Sequence, residues 1–404
     1  MMASGAEIGW QSGPVMRFLT NRLNSLGSAS QWQASGRQCA VGGGIEVMTA
    51  ATRTWTRTAV ALAALAIPGA AITQSTNAPI TPAPVVARAA PSELTQQISA
   101  LGRGFNGRIG IAVRSIDDGW TAKWKADELY PQQSVSKLWV AITALDAVDR
   151  GRVSLDDRVT LTRNDLTLFH QPIAAKSLGG GHTTTLGALM FEAITKSDNT
   201  CNDKLMRSVG GPSAVRAMIE TKRLGAIRMY DGERALQSKI AGLTWSPSFS
   251  IGNAFYAARN ALPLTLRRSL FERYIEDPYD GAAPSAIVDA LARLKKGELL
   301  SPASTARLLS TMGNTKTGAN RLKGGLKPGW SLSHKTGTGQ VLGGTQAGYN
   351  DIGILTAPDG ASYSVAVMIK STAAPLGTRM TLMNNVVRAT ITQHERDRGG
   401  AYTL

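Results

Sequence analysis

The chain has 404 residues, 43% of them apolar and 18% charged. That supports a sizeable packed core and excludes disorder throughout. Two cysteines, Cys39 and Cys201, lie far apart in sequence and exclude a disulfide scaffold. His170, His182, His334 and His394 show no HExxH-like spacing and there is no CxxC, so a zinc enzyme is not expected. Uninterrupted apolar runs fall short of the roughly 18 residues that argue for a membrane span, so no stable membrane insertion is expected. The net charge of +16 would suit a nucleic-acid partner, but Lys and Arg are scattered and few aromatics interleave with them. The reading is a basic soluble protein with no nucleic-acid partner.

In chain order, residues 1–47 have little periodicity and read as an untranslated or disordered leader, with Met48 as the true start. Arg53 and Arg57, the apolar run Ala59–Ile67 and the small residues Gly69-Ala70-Ala71 follow the order of a secretory signal peptide over 48–71. Secretion or a periplasmic location is the expectation. Residues 72–92, with Pro79, Pro82, Pro84 and Pro91, read as an extended linker. Ser92 is expected to cap a helix through Leu101, and Arg108–Val113 is a β-branched strand. Asp117-Asp118-Gly119 predicts a hairpin turn into a second strand, in which Trp120, Ala122 and Trp124 alternate with polar residues.

From Ser134 the period changes to that of a helix, with Leu138, Ala141, Leu145 and Val148 on one face. Helices are predicted at 186–195, 202–209, 213–221, 283–295 and 303–312. Strands return at 331–335, 351–357 and 363–369, with Pro358-Asp359-Gly360 as a hairpin turn, and a last helix covers about 378–392. Strands, a helical block, then strands describe an α/β fold in which both chain ends build the sheet and a helical lobe is inserted. The lobes are expected near 93–133 with 325–404, and near 134–324, within one catalytic domain of residues 93–404. A cleft between them is the natural place for a ligand.

Three short motifs carry chemistry. In Ser134-Val135-Ser136-Lys137, residues i and i+3 share a helical face, so Lys137 reaches Ser134, while Ser136 points elsewhere. A serine hydroxyl needs a nearby base, and a desolvated lysine can be one. Ser197-Asp198-Asn199 follows a predicted helix, and Lys335-Thr336-Gly337-Thr338-Gly339 ends a predicted strand. Each alone is weak: a cap, a turn, a strand end.

SxxK, SDN and KTG in this order resemble the penicillin-recognising serine enzymes, specifically the class A β-lactamases. Arg163–Leu166, Thr195–Thr200, Gly297–Leu300, Pro328-Gly329-Trp330 and Asn350-Asp351-Ile352 resemble that family too, and the resemblance covers nearly all of 93–404. It implies an antiparallel sheet flanked by helices plus an all-α lobe, and β-lactam hydrolysis through a serine acyl-enzyme, with no metal or cofactor. By resemblance Ser134 is the nucleophile, and Lys137 and Ser197 move protons. Asn199 binds the substrate amide, and Lys335, Thr336 and Gly337 line the carboxylate side. The backbone N–H groups of Ser134 and Thr338 hold the oxyanion.

Glu233-Arg234-Ala235-Leu236-Gln237 stands where the family carries ExxLN on an Ω-shaped loop. Glu233 would activate the deacylating water, with Gln237 in place of the asparagine that helps hold it. Arg321, 14 residues before Lys335, would bind the substrate carboxylate; a solvated surface arginine is the other reading. Phe169 would be an aromatic gatekeeper or a core residue. Asp231 and Asp203 depart from the family pattern, and are expected to crowd Glu233 with negative charge. Ser246–Ala283 is extra material, helix-like at 251–261 and 264–275. The competing readings are a D,D-carboxypeptidase or other serine hydrolase of the same fold acting on a peptidoglycan-like substrate, or an inactive penicillin-binding module. A monomer is expected.

Overall fold

The β-branched segments pair into one six-stranded antiparallel sheet, beside two small two-stranded ones, in a computed structural model that describes residues 88–399. The proposed leader and signal peptide, and most of the linker, lie outside the described residues. The chain runs α1 (Ser92–Gly104), β1 (Arg108–Ser115), β2 (Thr121–Trp124), β3 (Tyr130–Pro131), a 3-10 turn at Gln133–Ser136, α2 (Lys137–Asp149), β4 (Arg158–Leu161), α3 (Ala174–Ser177), β5 (His182–Thr185), α4 (Leu186–Thr195), α5 (Asn199–Ser208), α6 (Gly211–Thr221) and α7 (Glu233–Ile240). It continues through α8 (Ala254–Ala261), α9 (Leu264–Glu276), β6 (Gly281–Ala282), α10 (Pro284–Lys295), α11 (Pro302–Gly313), β7 (Ser331–Thr338), β8 (Val341–Leu342), β9 (Thr345–Thr356), β10 (Ser362–Thr372) and α12 (Leu376–Gly399).

Strand order in the large sheet is β2-β1-β10-β9-β7, with β8 paired to β9, so both ends of the chain supply it as expected; the small sheets pair β3 with β6 and β4 with β5. The two-residue period of a strand divides the side chains between two cores. Ile109, Ile111 and Val113 of β1, with Val365, Val367 and Ile369 of β10, face Leu94 and Ile98 of α1 and Met383, Val386 and Val387 of α12. Ala112, Ile352, Ile354, Ala366 and Met368 belong to the other core, with α2, α4, α5, α6, α10 and α11.

Three expectations need correction. The α2 helix begins at Lys137, after a 3-10 turn, and it is buried on all sides from Lys137 to Ala147, where a single buried face was expected. A helix buried all round belongs inside a core, and α2 lies at the centre of the helical block, with Lys137, Thr143 and Asp146 as its buried polar residues. Ser92 is the first helical residue; the cap position falls to Pro91, with no side-chain cap. Strand β9 starts six residues earlier than expected, at Thr345. Its first half holds buried Gln346 and Asn350, whose polarity hid the strand from a hydrophobic reading.

The segment between Asp231 and Asp280 leaves and re-enters the body at a narrow neck. There Ile227 bridges Ala282, and Arg228 N–H donates to Gly281 O at 2.8 Å. Gln132, fully buried and the residue just before the 3-10 turn, ties that turn to the neck. Its Nε2 donates to Arg228 O at 2.8 Å and Asp280 O at 2.7 Å, and its Oε1 accepts from Trp139 Nε1. The extra material forms a short turn at Pro247–Ser250 with α8 and α9, close to the expected spans. Helix α9 packs Phe271, Tyr274 and Ile275 against Leu236 and Ile240 of α7.

Gln132→Leu would strand two buried carbonyls and an indole N–H, each costing about 1–3 kcal/mol. A lower unfolding midpoint and faster limited proteolysis within 231–280 are expected. An unchanged midpoint and cleavage rate would show that the neck holds without Gln132.

Candidate active site

The 3-10 turn puts Ser134 at the head of α2, half-buried, with Gln133 before it in left-handed backbone (φ 54°). Ser136 turns away and donates to Gln133 O at 2.8 Å, as its position beside Lys137 suggested. Lys137 is buried to 1% exposure. Its ammonium donates to Ser134 Oγ at 2.8 Å, to Asn199 Oδ1 at 2.8 Å and to Glu233 Oε1. Three donors meet three acceptors, which is what a buried ammonium requires.

The SDN motif bridges α4 and α5. Ser197 sits in left-handed backbone (φ 62°), and its Oγ accepts from Lys335 Nζ at 2.9 Å. Asp198 caps α5, accepting from Cys201 N–H at 2.9 Å and from Ile173 N–H at 2.7 Å. Besides Lys137, Asn199 contacts the loop that carries Phe169: its Nδ2 donates to Leu168 O at 3.0 Å, and its N–H to His170 O at 2.9 Å.

The third motif ends β7. Lys335 is fully buried, and burial together with the nearby Lys137 holds its ammonium well below the usual lysine range. Gly337 is needed for closeness: a Cβ there would lie 2.3 Å from Gln132 O. This contact brings the strand end against the turn that carries Ser134. Thr336 Oγ1 shares a hydrogen bond of 2.7 Å with Thr317 Oγ1, a residue the sequence reading missed. Arg321 is not a solvated surface residue. Its guanidinium donates to Gly337 O at 3.0 Å, Asn350 O at 2.7 Å and Thr338 Oγ1 at 2.6 Å, and lies over the Tyr349 ring. It supports the strand end and reaches Thr338.

Glu233 opens α7 and is 5% exposed. Gly232 precedes it at φ 93°, where a side chain would meet Met206 and Asp203. Glu233 N–H donates to both carboxylate oxygens of Asp203 at 3.1 Å. Gln237 Nε2 donates to Glu233 Oε2 at 3.2 Å and to Gln133 Oε1 at 2.9 Å, while its own Oε1 accepts from Gln340 Nε2 at 3.0 Å. Gln133 and Gln340 were missed by the sequence reading. Gln133's place beside Ser134 was the available signal; Gln340 gave none.

The expected crowding by Asp231 is corrected: it lies at the surface, paired with Arg216 at 2.9 Å. The burden falls on Asp203, which burial first and the Glu233 charge second push up to about 6. Phe169 is a surface aromatic at 38% exposure, packed edge-on against Phe255 at 5.0 Å and near Tyr256 at 6.0 Å, both from the inserted α8. Among the described residues no cluster of His, Cys, Asp and Glu could hold a metal ion.

Asp203 titrates near 3.8 when unfolded and near 6 when folded. A raised carboxyl pKa stabilises the fold while protonated, and that gain is lost as pH rises through about 6. Asp203→Asn keeps an acceptor for the Glu233 N–H and removes the buried charge. It is expected to raise stability at pH 7.5 by on the order of 1–3 kcal/mol, with the gain shrinking towards pH 4.5. Thermal melts of both proteins at the two pH values check this; an equal shift at both would refute it.

The family model described as "Beta-lactamase enzyme family" matches residues 93–394. The chain is 26% identical over 285 residues to beta-lactamase VEB-1 of Pseudomonas aeruginosa, covering 70% of this chain and 85% of that one. It is 28% identical over 298 residues to the extended-spectrum beta-lactamase PER-1 of the same organism, covering 73% and 85%. Among solved structures, a beta-lactamase from Chitinophaga pinensis superposes with a TM-score of 0.62 at 26% identity, covering 74% of this chain and 99% of that one. An ancestral class A beta-lactamase superposes at 0.58 and 29% identity, with 74% and 99% covered. With the family match spanning about three quarters of its length and the serine–lysine–glutamate cluster at its centre, this chain belongs to the beta-lactamase enzyme family, in its class A type.

Proposed function

We propose that this serine hydrolase opens β-lactams through an acyl-enzyme on Ser134. The observation that carries this reading is the buried Lys137 ammonium, which links Ser134 Oγ to the Glu233 carboxylate. In acylation Ser134 Oγ adds to the lactam carbonyl carbon, and its proton leaves through Lys137 towards Glu233. The developing oxyanion meets the backbone N–H groups of Ser134 and Thr338. The lactam C–N bond breaks, and the leaving nitrogen takes that same proton, returned from Glu233 through Lys137 and passed on by Ser197, whose hydroxyl is held by Lys335, so Glu233 is ionised again. In deacylation Glu233 takes a proton from a water whose oxygen attacks the ester carbonyl. The ester C–O bond breaks, and Ser134 regains its proton.

Asn199 meets the substrate amide, and the Lys335–Thr338 strand end, with Arg321 behind it, meets the substrate carboxylate. A base placed at the serine–lysine pair favours hydrolysis over the trapped acyl state of a penicillin-binding module, and favours a β-lactamase over a D,D-carboxypeptidase. We also take residues 93–404 as one catalytic domain acting as a monomer, with 48–71 as its signal peptide and 72–92 as a linker. The Arg53/Arg57, Ala59–Ile67, Gly69-Ala70-Ala71 order supports export to the periplasm or medium.

Ser134→Ala is expected to abolish labelling by a fluorescent penicillin, whereas Ser136→Ala keeps it. Glu233→Ala is expected to acylate but then accumulate the adduct, with turnover falling roughly 10²–10⁴-fold. Intact-mass spectra beside burst kinetics read both; a Glu233→Ala protein that turns over like the parent would overturn the assignment. N-terminal sequencing of exported protein should begin near Ile72, and a mature chain retaining residues 1–47 would refute the signal peptide.

A further inference from the structure

Tyr274 lies on the inserted α9 and is fully buried. Its hydroxyl donates to Asp280 Oδ1 at 2.9 Å and accepts from Gln133 Nε2. Asp280 Oδ2 in turn accepts the Gln133 backbone N–H at 2.6 Å. Burial pushes the Asp280 carboxyl up to about 6, so it is ionised at pH 7.5. An ionised carboxylate only accepts hydrogen bonds, which aims the phenol proton at Asp280 and leaves the phenol oxygen as an acceptor. Gln133 must then present its NH₂ to Tyr274 and its carbonyl oxygen to the opposite side. There it accepts from Gln237 Nε2 at 2.9 Å, and the same NH₂ reaches Glu233 Oε2 at 3.2 Å.

An amide is nearly symmetric in shape, and its two ends differ only in hydrogen-bonding sense. A flipped Gln237 would set its carbonyl oxygen against the Glu233 carboxylate, acceptor facing acceptor. The chain of bonds from Asp280 removes that choice at each step.

We propose that Tyr274 is a positioning residue for deacylation: its hydroxyl, acting through Gln133, fixes which end of the Gln237 amide meets Glu233. The inserted segment therefore takes part in setting the hydrolytic step. This rests on the reading of Glu233 and Gln237 as the groups that hold the deacylating water.

Tyr274→Phe removes the oxygen and leaves the ring against Leu236, Ile240 and Phe271. With benzylpenicillin, deacylation is expected to slow about 10-fold, the worth of one well-placed hydrogen bond. Acylation should stay within about two-fold, so kcat and KM fall together, kcat/KM holds, and the acyl-enzyme accumulates in intact-mass spectra. Gln133→Met should give the same defect, and the double variant should be no slower than either alone. Phe271→Leu, on the same helix and without a polar group, should lower the melting temperature and leave deacylation unchanged. The proposal is overturned if Tyr274→Phe deacylates like the parent, or if it slows both steps equally with a loss of stability like that of Phe271→Leu. A Glu233→Ala protein that deacylates like the parent would remove the hydrolase reading and this proposal with it. Intact Glu233 dependence beside an unaffected Tyr274→Phe overturns this proposal alone.

Discussion

The site is organised around one buried cation. Lys137 sits at 1% exposure, where an unpaired ammonium would be strongly destabilising. Its three hydrogen bonds come from three separate segments: Ser134 one turn before it, Asn199 at the head of α5, and Glu233 at the head of α7. Each segment is thereby held to the same point. The requirement to satisfy the ammonium and the requirement to assemble a nucleophile, a substrate contact and a base are met by the same contacts. A second buried ammonium, Lys335, closes the other side by holding Ser197. Burial first and the nearby Lys137 charge second hold the Lys335 ammonium well below the usual lysine range.

Closeness between the sheet edge and the nucleophile turn is a backbone matter. Gly337 allows β7 to run against Gln132 O, and Asn350 of the neighbouring strand donates to Pro131 O at 2.7 Å and to Gln132 O at 3.1 Å. Arg321 fills the space behind, bonding the carbonyls of Gly337 and Asn350. The strand end is therefore rigid from both sides, which suits a group that must meet a developing oxyanion without reorganising. Gln132 extends the same support to the neck of the Asp231–Asp280 segment. One glutamine thus couples the turn that bears Ser134 to the loop that bears Glu233.

The stored electrostatic load of the fold lies against that loop, on α5 and at the loop's far end. Asp203 and Asp280 are both buried carboxylates pushed up to about 6, and both accept backbone N–H groups beside the site, from Glu233 and from Gln133. Burying them opposes folding at neutral pH. In exchange each fixes a residue adjoining the reaction centre, consistent with strain and perturbed ionisation gathering at functional sites. The inserted α8 and α9 cover this loop with aromatic side chains. Phe255 and Tyr256 reach Phe169 beside Asn199, and Tyr274 reaches Asp280.

The sequence by itself determined the fold class, the order of most elements and the three motifs that converge on the site. Period-2 and period-3.6 patterns report which side of an element is apolar, and SxxK places its two side chains on one turn, so local spacing was enough. The resemblance to class A β-lactamases then supplied Glu233, Gln237 and Arg321. What spacing could not decide was which polar residues meet across the chain. Asp231 and Asp203 looked alike in sequence, yet one pairs with Arg216 at the surface and the other lies buried against the Glu233 N–H. Gln132, Gln133, Tyr274 and Asp280 are brought together from positions 141 to 148 residues apart, and their hydrogen bonds exist only once the neck has closed. Buried polar residues such as Gln346 and Asn350 concealed half of β9 because hydropathy registers a side chain's polarity and not its partner. Burial all round α2 was likewise a tertiary outcome: its position at the centre of the helical block, more than its own pattern, removed every face from solvent.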